Sequence, residues 1–233
     1  MRLRLLPLII WLCAGAAAAE TLRLGTDGDF PPNVTTRADG TLEGFEPELA
    51  ALMCPLAGYD CRWVVMPFDR LERALLAREI DAIMAGMGRT SEREARMAFT
   101  TPYLAPTVSL FMVREGSEIE LSRARIAAQA GSHQAAHVQA IGAGLVATDS
   151  FDAALAALRE GRAEALLATR TWLSRQNTEG LVTTGPEVIT SKGAAIALRP
   201  EDTEILRRLD TALATLEGDG RLSELRRKWF GKD

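Results

Sequence analysis

Short apolar, β-prone runs alternate with amphipathic stretches along this chain, and that alternation constrains its fold more than any other feature. Strand, helix and strand in succession build a parallel sheet with helices on its faces. Thr21–Gly25 reads as a strand, after which Gly28, Pro31 and Pro32 force a loop. Glu46–Cys54 reads as a helix, with Pro47 tolerated in its first turn. Arg62–Met66 is a second strand. The spacing of Leu71, Ala74, Leu75 and Arg78 predicts a helix capped by Asp69. Asp81–Met84 is a third strand, leading into Gly86-Met87-Gly88. Ser91 and Glu94 stand at capping-box spacing, which predicts a helix from about Glu92.

An extended apolar run, Thr107–Val113, then carries the chain into a second, similar series. Arg125–Ala128, Leu145–Ala147 and Glu164–Ala168 read as strands. Helices are predicted from His133, from Ser150 as a cap (with Leu155 and Leu158) and around Trp172. Val182 begins another extended piece, and Gly193–Leu198 reads as a return strand. Glu201–Leu216 and Arg221–Phe230 are helices separated by Gly218-Asp219-Gly220. Two series joined by crossings near Leu104–Leu110 and Gly193–Leu198 imply an α/β protein of two lobes, each with a mostly parallel sheet. Residues 20–108 and 194–233 would form the first lobe and residues 109–193 the second. The C-terminal helices would pack back on the first.

The amino terminus has the layout of a cleaved secretory signal. Arg2 and Arg4 precede an apolar run, Leu5 to Leu12, too short to span a bilayer, and small residues follow from Ala14 to Ala19. Residues 1–19 would be removed, with cleavage after Ala19. Cys13 lacks the small residues before it that a lipid anchor would want. The mature product is expected outside the cytoplasm. The net charge of −4 and the absence of a basic block argue against nucleic-acid binding. In an oxidising compartment Cys54 and Cys61 can pair, the other reading being two buried thiols. With only His133 and His137 as histidines, no metal site or cofactor is expected.

The chain resembles a known family, the type II periplasmic binding proteins for polar amino acids (solute-binding family 3), over essentially its whole mature length. The landmarks are Thr26-Asp27 before Phe30, Pro31 and Pro32; Gly44-Phe45-Glu46; Asp81-Ala82-Ile83; Thr90 with Arg93; Phe99-Thr100 before Pro102-Tyr103; Gln129 to Ser132; Gly161-Arg162; and Gly220-Arg221-Leu222. The block from Asp81 through Tyr103 is the most specific. The cysteine spacing also resembles that of the basic amino-acid binders.

The resemblance implies a site between the lobes. Arg93 would grip the solute's carboxylate, as a planar guanidinium can do bidentately. By spacing alone it reads as a solvated arginine beside Arg89 and Arg96. Gly86 and Gly88 would let the backbone approach the solute, although the family usually has a hydroxyl at the position of Gly88. Phe30 and Phe68 match positions that sandwich the solute's side chain. Asp27 matches one that meets its polar end, and otherwise reads as a turn aspartate. On the second lobe Ser132 and His133 begin a helix whose backbone N–H groups can meet an anion. Thr169 stands where the family has an aspartate for the solute's ammonium group, so either another group such as Asp27 or Asp29 takes over that role, or the solute carries no ordinary α-ammonium.

The resemblance implies a monomeric solute-binding subunit of an ABC importer, with a membrane permease as partner and hinge closure as its mechanism, and no catalysis. Two other readings are an enzyme of the cyclohexadienyl dehydratase kind, which needs a placed general acid, and an accessory protein of a periplasmic dehydrogenase.

Overall fold

The protein is described from a computed structural model covering residues 19–231. The expected leader, residues 1–19, lies outside them except for Ala19.

The first sheet is built from β1 (Glu20–Thr26), β5 (Tyr59–Val65), β6 (Ala82–Ile83), β7 (Ala98–Phe99) and β13 (Ala197–Leu198). Its strands stand in the order β5-β1-β6-β13-β7. The second sheet comprises β8 (Ser109–Arg114), β9 (Arg125–Gln129), β10 (Gly144–Thr148), β11 (Ala165–Thr169) and β12 (Leu181–Val188). Its order is β10-β9-β11-β8-β12. The two sheets share one plan. In each, four strands run one way and one runs against them: β13 pairs antiparallel with β6 and β7, and β8 with β11 and β12. Both reversed strands directly follow a passage from one sheet to the other, so the incoming chain enters each sheet from its opposite end.

Both faces of both sheets are covered, and the apolar residues sort by the two-residue period of a strand. In the first sheet Leu22, Leu24, Ala82, Met84, Ile196 and Leu198 face one core. Helices α1 (Phe45–Ala57), α7 (Thr203–Gly218) and α8 (Arg221–Phe230) close it through Leu49, Met53, Leu213 and Leu225. Ile83, Ala85 and Ala197 face the other side, under α2 (Phe68–Leu76). In the second sheet Ala127, Leu166 and Ala168 pack against α5 (Phe151–Arg159), while Ile126, Ala128 and Leu167 pack against α4 (His133–Ala140). The Cys54–Cys61 disulfide ties α1 to the edge strand β5.

Between the sheets the chain crosses twice. Ala194 makes single bridges to Gly88 and Leu104, so the two crossing segments lie side by side. The return strand is shorter than the run Gly193–Leu198, because only Ala197 and Leu198 pair within the sheet.

Three local expectations shift. Asp69 is not a cap: α2 starts at Phe68 after Pro67 and ends at Leu76, and Arg78 lies beyond it at a positive φ of 60°. The helix after β6 is the single turn α3 (Ser91–Glu94), capped by Thr90, whose Oγ accepts from the Arg93 N–H at 3.2 Å. A small antiparallel sheet of β2 (Asp29–Phe30), β3 (Val34–Thr36) and β4 (Leu42–Glu43) occupies what reads in sequence as a loop. Its strands are too short to carry a legible period.

Candidate ligand-binding cleft

A cavity between the lobes is lined by both. It includes seven of the nine expected residues: Phe30, Phe68, Gly86, Gly88, Ser132, His133 and Thr169. About 50 Å³ is open to water-sized spheres, room for a handful of water molecules, so the lobes stand close together. Arg93 and Asp27 do not line it, and each has a structural reason.

The guanidinium of Arg93 is folded onto backbone oxygens. Nη1 donates to the Gly88 carbonyl at 2.7 Å and Nη2 to the Gly131 carbonyl at 2.9 Å, the second bond crossing between the lobes. The residue is only 6% exposed, stands 5.7 Å from the Phe68 ring centre and forms no salt bridge among the described residues. Burial lowers its pKa to about 10, which leaves it charged at neutral pH. It borders a groove on the outer side of the cleft, shared with Ser132 and His133. The Arg93 N–H itself is already held by the Thr90 hydroxyl.

Asp27 lies behind Gln129 of the second lobe, whose Nε2 donates to Oδ2 at 3.1 Å. Its Oδ1 is buried without a partner. Burial is the main cause that raises its pKa to about 6. Deeper in the first lobe, the buried Glu46 accepts from the Gly86 N–H at 2.6 Å and from the Tyr103 hydroxyl. Burial raises Glu46 to about 7.

Both glycines after β6 are demanded by close approach. Gly86 has φ of 57°, and a Cβ there would meet the Phe30 ring at 2.6 Å. A Cβ on Gly88 would meet the His133 ring at 2.6 Å. The space a hydroxyl-bearing residue would need at Gly88 is therefore filled by His133. That ring bonds through Nδ1 to the Thr190 hydroxyl, on the crossing segment. Burial, with the charge of Arg93 adding to it, lowers its pKa to about 3, so it is neutral.

On the second lobe two hydroxyls in the lining are N-caps. Ser132 Oγ caps α4, accepting from the Ala135 N–H at 3.1 Å. Thr169 Oγ1 caps the single turn α6 (Arg170–Leu173), accepting from the Trp172 N–H at 3.3 Å. Phe30 does not pair with Phe68. It stacks on Phe151 at 5.3 Å between ring centres, and Phe151 stacks on Trp172 at 5.4 Å. The rings of Phe30 and Phe151 thus join the two lobes. Phe151, Asn33, Gln134 and Phe230 line the cavity without having been expected there. Phe151 directly follows the Ser150 cap read from sequence, but nothing local ties its ring to Phe30. Phe230 comes from α8 and gives no local signal.

Residues 22–232 match the family of bacterial extracellular solute-binding proteins, family 3. This chain belongs to that family. Among curated relatives, this family 3 protein is 31% identical over 241 residues to putative ABC transporter arginine-binding protein 2 of Escherichia coli K12, covering 97% of each chain. It is 28% identical over 240 residues to ABC transporter arginine-binding protein 1 of the same organism, covering 98% of each. Among solved structures it resembles a periplasmic His/Glu/Gln/Arg/opine family-binding protein from Silicibacter pomeroyi, in complex with lysine. There the TM-score is 0.84 at 34% identity, covering 91% of this chain and 98% of that one.

Proposed function

We propose that this family 3 protein is the periplasmic solute-binding subunit of an ABC importer, and that it captures a small carboxylate-bearing solute between its lobes. The observation that carries this reading is Arg93: a guanidinium buried between two lobes whose hydrogen bonds go to the carbonyls of Gly88 and Gly131, with no carboxylate in salt-bridge contact among the described residues. Such a cation has given up water without gaining a counter-charge, and a carboxylate entering beside it would supply one. The relatives named for arginine binding, and the lysine complex, support an amino acid or a related compound as the solute.

In this reading Arg93 and the Gly86–Gly88 backbone hold the solute from the first lobe, residues 20–108 and 194–233. Ser132, His133 and Thr169 close on it from the second, residues 109–193. Phe30 and Phe68 supply apolar walls, and Asp27 takes up a polar end once Gln129 moves aside. Interactions that form only on closure set the balance between open and closed forms. The protein is a monomer, exported with cleavage after Ala19, and hands its solute to a permease. A catalytic role has little support: the described residues lining the cavity include no Asp or Glu to serve as general acid, and His133 is held neutral.

A thermal-shift screen of amino acids and simple carboxylates tests the reading. At least one compound raises the melting temperature, and Arg93→Ala removes the rise. An undiminished rise in Arg93→Ala places the anion elsewhere and overturns the proposal.

A further inference from the structure

Resting on the carboxylate reading of Arg93, we infer that the solute carries an oxygen rather than an ammonium group beside its carboxylate: an α-keto or α-hydroxy acid. The balance of hydrogen-bond donors and acceptors around the cleft points to it.

Among the described residues lining the cavity there is no Asp or Glu. Asp27, the acid just behind the lining, already accepts from Gln129 and is screened by it. The two carbonyls nearest Arg93, those of Gly88 and Gly131, are taken by its guanidinium. The side-chain acceptors that are left are hydroxyls, the neutral amides of Asn33, Gln129 and Gln134, and His133, whose Nδ1 already pairs with Thr190. An α-ammonium entering here would exchange its hydration for uncharged partners.

The hydroxyls of the second-lobe wall are set up to donate. Ser132 and Thr169 each spend lone-pair capacity on a helix N–H, at 3.1 and 3.3 Å, which leaves their O–H hydrogens free to turn into the cavity. Gln134 gives its Nε2 to Ser109 at 3.1 Å, so that amide is fixed in place. The cation nearest the cleft, Arg93, is held just outside its lining by the carbonyls of Gly88 and Gly131. A keto or hydroxyl oxygen accepts from such a wall, whereas an ammonium adds donors where donors already dominate. A site built to hydrogen-bond one group rejects the analogue that lacks it, because its own polar atoms are then left unpaired.

The test is calorimetric titration with matched sets that share a side chain: phenylalanine, phenylpyruvate and phenyllactate; alanine, pyruvate and lactate; arginine and its α-keto counterpart. The keto or hydroxy member of at least one set binds about tenfold or more tighter than its amino partner. Thr169→Asp, which puts a carboxylate on the wall, reverses that preference. Thr169→Val weakens the keto and hydroxy acids while circular dichroism keeps its folded signature. If amino acids bind tighter in every set, and Arg93→Ala abolishes their binding, this inference falls and the carboxylate reading stands. If no member binds, or binding ignores Arg93→Ala, both fall.

Discussion

Arg93 of the first lobe and Gly131 of the second are joined directly, guanidinium Nη2 to backbone carbonyl at 2.9 Å. The Asp27–Gln129 contact at 3.1 Å and the Phe30–Phe151 ring pair also span the cleft. The closed arrangement has contacts of its own to lean on, and these shift the resting equilibrium toward closure.

Removing the Arg93 contact should open the resting protein. Small-angle scattering of solute-free Arg93→Ala is expected to give a radius of gyration about 1 Å above the parent, on a base of about 17 Å for a chain of this length. Identical curves for parent and variant would show that the bond contributes nothing to closure.

The fit of His133 over Gly88 predicts a coupled pair. Gly88→Ala puts a methyl 2.6 Å from the imidazole and is expected to lower stability by about 1–3 kcal/mol. In a His133→Ala background most of that loss disappears, giving a coupling of about 0.5 kcal/mol or more. Urea melts of the four proteins measure it, and strict additivity would rule out the steric coupling.

Acidification brings opposed effects that single variants can separate. The unfolded chain protonates His133 below about pH 6.5, whereas the folded chain keeps it neutral down to about 3. Its contribution is therefore full above about pH 6.5 and is lost as the pH falls below that. Asp27 and Glu46 have folded pKa values raised to about 6 and about 7. The folded chain takes up these protons first, so the two acids add stability as pH falls from about 7 toward 4. Stability measured at about pH 7, 6 and 5 should rise more steeply on acidification in His133→Gln than in the parent, and less steeply in Asp27→Asn. Equal slopes in parent and His133→Gln would mean the imidazole titrates normally.

Reducing the Cys54–Cys61 bond frees a loop with a sequence separation of 7. Closing so short a loop accounts for about 2–3 kcal/mol on the chain-entropy view. For a protein of this size, melting should fall by about 4–12 °C. A melting curve indifferent to reductant, with thiol release confirmed, would contradict this.

Most of the fold could be read from periodicity, because each strand buried on both faces is a continuous apolar run and each covering helix has a spaced apolar stripe. Strands β9, β10 and β11, the helix start at His133 and the cap Ser150 stand where the pattern places them. The small sheet β2–β4 escaped because two or three residues cannot display a period. Asp69 misled because a capping residue type sits one place inside a helix that starts earlier. The site was harder. Sequence could nominate Arg93, but not that its charge would be turned onto the carbonyls of Gly88 and Gly131. Phe151 went unnoticed because its partner Phe30 is remote in the chain and meets it only when two sheets approach. Contacts of that sort belong to tertiary geometry, which no local pattern encodes.

The seat of β13 between β6 and β7 has a consequence for how the molecule assembles. Every strand of the second sheet is contiguous in sequence, so that half can complete itself from its own segment. The half that is translated first must wait, with a gap in its middle, for a strand supplied near the carboxyl end. A truncated chain lacking that strand would retain one finished half and one unfinished half, and a protease should tell them apart.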